Sequence, residues 1–239
     1  MLHVVYFFRA IFSDFLIYTS MILIGFWGVI VIFFFKYDAL KVVKIFCKLS
    51  FLILKHVAKI KIEFKGDIPS GNVIICSKHQ SFLDILMLLY ILPDSRFIMK
   101  KELVNMPILG YYAKLIGCIP IDRKKKGEAL KDLVISIKKI KSGQLVIYPQ
   151  GTRVKPGEKK PYKVGVGVLC TKLNLECHLV ATNAGVFWGR KSFYRYPGVA
   201  SIHFLGKVNE TRNLGKFMKE IETKIENESE KMRGFDTMN

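Results

Sequence analysis

From Leu16 to Phe35 the chain reads LIYTSMILIGFWGVIVIFFF, an apolar run without a charged residue. Roughly 20 such residues can cross the hydrocarbon core of a bilayer as a helix. A cleaved signal peptide would have a shorter apolar region, followed by a small-residue cleavage site. Here the run ends in Phe-Phe-Phe-Lys-Tyr, which suits a retained anchor. A buried core helix shares the pattern, and spanning and re-entering the bilayer both fit it. The next segment, Leu40 to Phe64, carries Lys41, Lys44, Lys48, Lys55 and Lys59. On a helix these lysines fall within an arc of roughly 60°, and most of the remaining surface is Leu, Ile, Val and Phe. That pattern predicts an interfacial helix, its lysines reaching anionic headgroups and its body in the acyl boundary. An ordinary core-packed helix with a solvated lysine edge also fits, and a break near His56 is allowed.

From about Gly66 the texture changes to short apolar runs separated by Gly, Pro and Asn. Strands are predicted at Asn72–Ser77, Arg96–Met99, Leu115–Asp122, Gln144–Tyr148, His178–Phe187 and Ser201–Val208. Helices are predicted at Phe82–Leu92, Glu128–Lys141, Val164–Leu173 and Asn213–Met232. Strands alternating with helices imply an α/β domain. The expected organisation is a membrane anchor and amphipathic segment over 1–64, followed by a catalytic domain over 65–239. About 175 residues past the apolar N-terminus suffice for one domain with a substantial core.

Composition narrows the partners. Of the 239 residues, 51% are hydrophobic, which suits a partly membrane-embedded protein better than a soluble one. The formal net charge of +19 attracts polyanions, anionic lipid surfaces or anionic substrates. No nucleic-acid recognition motif appears, and the lysine stripe adjoins an apolar anchor, so nucleic acid is not the expected partner. Basic residues after the apolar run place the catalytic domain on the cytoplasmic side of the membrane. Cys47, Cys76, Cys118, Cys170 and Cys177 are odd in number and widely spaced, without metal-ligand or disulfide spacing. Reduced, structural thiols and no metal are expected.

Chemistry is expected where strands end. The strand at Asn72–Ser77 runs into Lys78-His79-Gln80-Ser81-Phe82-Leu83-Asp84. His79 lies just past the strand, and Asp84 falls in the first turn of the next helix. A turn between them lets the carboxylate accept a hydrogen bond from one imidazole nitrogen and leaves the other as a base. Ser81-x-x-Asp84 is also a capping-box pattern, which would explain Asp84 without catalysis. Two further strands run toward arginines, at Gly117 to Arg123 and at Tyr148-Pro149-Gln150-Gly151-Thr152-Arg153. Two guanidinium groups at strand ends, with a glycine beside one, would form an anion clamp, although each arginine alone reads more readily as a surface charge.

Together these segments closely resemble the glycerolipid acyltransferases, specifically the 1-acylglycerol-3-phosphate acyltransferases. The family's Asn-His-x4-Asp motif is matched by Lys78 to Asp84. Its Phe-Ile-x-Arg motif is matched by Cys118 to Arg123, with one extra residue. Its Phe-Pro-Glu-Gly-Thr-Arg motif is matched by Tyr148 to Arg153. Lys100-Lys101-Glu102-Leu103 and Pro107-Ile108-Leu109-Gly110 also recur in the family, and a fourth apolar motif falls at Leu179 to Val186. The chain departs from the pattern at Lys78, at Gln150 and in a fourth motif without its customary proline.

The resemblance implies a mixed sheet flanked by helices, the glycerolipid-acyltransferase fold, with membrane-associated N-terminal helices. It implies direct acyl transfer from acyl-CoA or acyl carrier protein to the hydroxyl of lysophosphatidate, giving phosphatidic acid, with no cofactor. His79 would be the base and Asp84 its orienting partner. Arg123 and Arg153 would hold the acceptor's phosphate, Gly151, Thr152 and Gln150 would shape the same pocket, and Lys101 would add to it. Related acceptors, a lyso-ornithine lipid or a lysophospholipid, stay open because of Gln150. A basic membrane-binding protein without catalysis is the reading from a different class.

Overall fold

The computed structural model of the chain describes residues 2–122, 126–138, 143–209 and 213–235. The N-terminal apolar run lies inside one long helix, α1 (Leu2–Phe35), which gives way to Lys36 in a left-handed conformation, φ 51°. The Asp38 side chain then accepts the Lys41 N–H at 3.1 Å and starts α2 (Ala39–Ile53). A π-helical turn, Leu54–Ala58, closes this segment at the expected break around His56. The helical segment does not reach Phe64. Ile60, Ile62 and Phe64 alternate with Lys61, Glu63 and Lys65 and form an edge strand, β1 (Ile60–Lys65). The lysine stripe is also not uniformly turned toward lipid. Lys44 donates to the Leu92 carbonyl at 2.7 Å and so bridges α2 to the body of the protein.

The remaining elements are β2 (Val73–Ser77), α3 (Leu83–Ile91), β3 (Ser95–Lys100), α4 (Leu109–Leu115) and β4 (Ile119–Ile121). They are followed by α5 (Lys126–Lys138), β5 (Gln144–Ile147), α6 (Gly165–Leu173), β6 (Cys177–Thr182), α7 (Ala184–Phe187), β7 (Gly198–Lys207) and α8 (Leu214–Phe235). Among the described residues the strands form one seven-stranded sheet in the order β1-β7-β6-β2-β5-β3-β4. Strands β6, β2, β5, β3 and β4 run parallel, whereas β7 pairs antiparallel with β6 and parallel with β1. The sheet is therefore mixed. Every residue of β2 and β5 is buried, as expected for central parallel strands covered on both faces.

Side-chain alternation along β2 divides the interior. Val73 and Ile75 face one core with Ile17 of α1, the π turn and α3, whereas Ile74 and Cys76 face a second core with α5, α6 and α8. Two predicted elements change identity. Only Ile119–Ile121 of the Leu115–Asp122 stretch is strand, because Leu115 ends α4. The stretch His178–Phe187 breaks after Thr182. There Thr182 Oγ1 accepts the Ala184 N–H at 3.1 Å, and the Asn183 side chain binds the backbone of Val199 and Ser201 in β7. A short helix, α7, follows.

Helix α1 combines length, hydropathy and exposure. The most apolar 18-residue window within His3–Phe35 has a mean hydropathy of 2.3, and 22% of it is buried against the protein. At 1.5 Å per residue the helix is about 50 Å long, more than the hydrocarbon thickness of a bilayer. Phe8, Phe15, Leu23, Phe26, Phe33 and Phe34 lie exposed along it. So much continuous apolar surface suits association with a membrane.

Candidate active site

The parallel strands β2, β5 and β6 deliver their following loops to the same edge of the sheet, where α/β folds generally carry their sites. His79 lies two residues beyond the end of β2, and Asp84 lies in the first turn of α3. His79 Nδ1 stands 2.9 Å from Asp84 Oδ1. Asp84 is fully buried, and its other oxygen accepts the backbone N–H of Gln80 at 2.8 Å and of Ser81 at 2.7 Å. The capping and orienting readings of Asp84 are thus both realised, one by each carboxylate oxygen. With Nδ1 engaged as a donor to the carboxylate, Nε2 is the ring nitrogen left to act as a base.

The aromatic ring of Tyr148, at the end of β5, stacks on the imidazole with ring centroids 3.9 Å apart. Its hydroxyl donates to Asp84 Oδ1 at 3.2 Å. Burial, reinforced by the Asp84 charge, holds the Tyr148 hydroxyl well above the usual tyrosine range, so it stays protonated. The turn after β5 is tied to the histidine loop by the Val154 N–H, which donates to the His79 carbonyl at 2.9 Å. Gly151 sits in that turn at φ 68°, where a side chain would be strained.

His79 opens onto a cavity of about 1320 Å³, well beyond the roughly 300–1,000 Å³ of ordinary small-molecule sites. One part is apolar, walled by Ile22, Val42, Phe46, Leu89, Ile108 and Tyr112 from α1, α2, α3, and α4 with the residue before it. The other part is cationic. Lys100, Arg153, Lys163, Arg190, Lys191 and Arg195 line it, and among the described residues no carboxylate does. Arg190 Nη1 donates to Thr152 Oγ1 and to the Arg153 carbonyl, both at 3.3 Å, which holds this cluster together. An elongated apolar chain and an anionic head would each find a complementary wall.

The predicted site residues divide. His79, Gly151, Thr152 and Arg153 line the cavity, and Asp84 stands behind His79. Gln150 does not line it. It is 1% exposed, and its Nε2 turns toward Glu226 of α8 and the Lys160 carbonyl. Lys101 is exposed and pairs with Asp122 at 3.7 Å, and its neighbour Lys100 faces the cavity instead. Arg123 lies outside the described residues. The sequence reading missed Tyr148, Lys163 and Arg190. Of the thiols, Cys76 is buried within β2, and Cys118 lines the cavity with its pKa pushed up by burial to about 11. Neither has the environment of a nucleophile.

Comparison with known proteins gives consistent results. A family model described as Acyltransferase matches residues 59–183. A 1-acyl-sn-glycerol-3-phosphate acyltransferase of Pseudomonas aeruginosa is 30% identical over 165 residues, covering 67% of this chain and 64% of that protein. The chain therefore spans just under two thirds of that relative's length. A Helicobacter pylori protein of the same name is 29% identical over 173 residues, covering 71% of this chain and 73% of its own. The crystal structure of PlsC, the 1-acyl-sn-glycerophosphate (LPA) acyltransferase of Thermotoga maritima, superposes with a TM-score of 0.80 at 20% identity, covering 98% of both chains. That likeness establishes the shared fold.

Proposed function

The chain belongs to the acyltransferase family, and from that membership we propose that it transfers a fatty acyl group from an acyl thioester to the free hydroxyl of 1-acylglycerol-3-phosphate, yielding phosphatidic acid. The observation that carries this reading is the placement of His79 and Asp84 between an apolar wall and a cationic cluster whose Arg153, Lys163 and Arg190 pair with no carboxylate among the described residues. The relatives from P. aeruginosa and H. pylori bear the name of this activity.

In this mechanism His79 Nε2 takes the proton of the acceptor hydroxyl as its oxygen attacks the thioester carbonyl carbon. Asp84 holds the imidazole tautomer and stabilises the imidazolium. The tetrahedral intermediate collapses with rupture of the C–S bond, and the thiol leaves with the proton returned by His79. No covalent acyl-enzyme is needed. Arg153, Lys163 and Arg190 bind the acceptor's phosphate, and the apolar wall takes the acyl chains. The donor is acyl-CoA or acyl carrier protein, both anionic and both suited to the basic surface. The lysines that follow α1 support an orientation with this site at the cytoplasmic face of the membrane.

The test is an assay of purified protein with lysophosphatidate and labelled acyl-CoA or acyl carrier protein, beside a panel of lyso-ornithine lipid and lysophospholipids. Phosphatidic acid should form fastest. His79→Ala should lower kcat by about 10²–10⁴-fold, the usual contribution of a positioned base, with vesicle binding and thermal stability unchanged. Near-parental turnover by that variant refutes the mechanism.

A further inference from the structure

Lys78, the residue before His79, is 2% exposed. A buried ammonium requires a counter-ion, and this one comes from far along the chain. Both carboxylate oxygens of Glu226 in α8 bind Lys78 Nζ, at 2.6 and 2.7 Å. Glu226 Oε1 also accepts the Tyr162 hydroxyl at 2.8 Å and the Gln150 amide at 3.4 Å. Three segments thus converge on one carboxylate. Each places its next residue on the cavity wall: Lys78 precedes His79, Gln150 precedes Gly151, and Tyr162 precedes Lys163. The base, the glycine turn and one of the cations are therefore all held by a residue that does not touch the cavity.

We propose that Glu226 is a positioning residue for acyl transfer, fixing His79 in register with the Gly151–Arg153 turn and with Lys163. The proposal rests on the acyl-transfer reading above. It extends the machinery beyond the matched residues 59–183 to α8. A bidentate carboxylate on a buried ammonium has little freedom to slide, so the chain segment on either side of Lys78 inherits its position. Positions 78 and 150 are also the two places where the first and third motifs depart from the family pattern, and here both contact the same side chain. Gln150 Nε2 and Lys78 Nζ both reach Glu226 Oε1, so a carboxylate installed at position 150 stands near the same ammonium.

The experiment compares the full-length parental protein, Glu226→Gln, and the double variant Glu226→Gln/Gln150→Glu, assayed with lysophosphatidate and acyl-CoA. Glu226→Gln is expected to lower kcat at least about tenfold while the acceptor KM moves less than about threefold. Moving the carboxylate to position 150 is expected to bring kcat back to within about threefold of the parental value. A merely structural tie would produce neither the kcat-specific loss nor its recovery. Parental kcat in Glu226→Gln, or a loss the second substitution leaves in place, overturns the proposal. If Glu226→Gln is not recovered folded, the double variant decides alone, since Lys78 stays paired in it: it supports the proposal when active and overturns it when inactive or unfolded. A parental protein that acylates none of the acceptors refutes the acyl-transfer reading itself, whereas an active parent with unaffected variants refutes only the role of Glu226.

Discussion

Asp84 Oδ1 receives two donors, the His79 ring and the Tyr148 hydroxyl. The oxygen that holds His79 is therefore shared with the tyrosine that also stacks on the imidazole. Tyr148→Phe keeps the stacking ring and removes one donor, at a distance that makes it a weak member of the pair. Losing about 1 kcal/mol of stabilisation of the imidazolium–carboxylate pair corresponds to about a fivefold fall in kcat. Steady-state kinetics should show that fall with the acceptor KM unchanged, and a variant with unaltered kcat would assign the hydroxyl no part in the reaction. At this scale the sequence carries the dyad well, because a histidine after a strand and an aspartate in the next turn form a local pattern. It carries Arg190 and Lys163 poorly. Each lies in an irregular segment, and only the long-range packing of loops brings them beside Arg153. Gln150 shows the converse: its motif position is plain, but the turn geometry decides which way its side chain faces.

Helix α1 is joined to the catalytic loops by a specific contact as well as by apolar packing. Arg195, 3% exposed, binds both oxygens of Asp14 at 2.8 Å and lies 4.3 Å over the Trp188 ring. The Trp188 carbonyl in turn accepts the hydroxyl of Ser81, inside the His79–Asp84 loop. Farther along α1, Gly28 lies so near Tyr112 of α4 that a Cβ there would overlap the Tyr112 hydroxyl, which itself donates to the Gly25 carbonyl at 2.8 Å. Asp14→Asn leaves a buried guanidinium without its counter-charge and should cost about 1–3 kcal/mol, read as a lower Tm in detergent. Sedimentation with vesicles should be unchanged, because the exposed apolar face of α1 is untouched. An unshifted Tm would mean that apolar contacts alone dock the helix. Among the elements, the central strands and α3 are legible because continuous apolar runs have few alternatives. The strand β1 alternates strictly, but it follows directly on a helical stripe that ends at Lys59, and only pairing with β7 decides between the two periods. The break at Thr182 depends on side chains bonding across to β7, which no local pattern reveals.

The sheet separates two cores, and a tyrosine stands beside each with its hydroxyl on a carboxylate: Tyr148 on Asp84 and Tyr162 on Glu226. Burial and the adjacent carboxylate push both hydroxyls above the usual tyrosine range. The consequence for the whole molecule follows from proton linkage. Once unfolded, each tyrosine releases its proton near pH 10, its ordinary pKa of about 10, whereas in the folded protein it keeps it. Above that pH the folded state binds more protons than the unfolded state, so stability falls as pH rises, by up to about 1.4 kcal/mol per pH unit for each group. Below about pH 9 both states hold these protons, and the pair contributes no pH dependence. Thermal unfolding in detergent, followed from about pH 8 to pH 11, should show a decline in Tm that steepens above about pH 10, where these tyrosines add to the buried thiols, with tyrosinate absorbance from these two residues appearing only as the protein unfolds. Tyr162→Phe should make the decline shallower, since one of the two linked protons is gone. A decline of undiminished slope in that variant, or tyrosinate formation by Tyr162 in the folded protein, would show that the second core does not hold its tyrosine neutral.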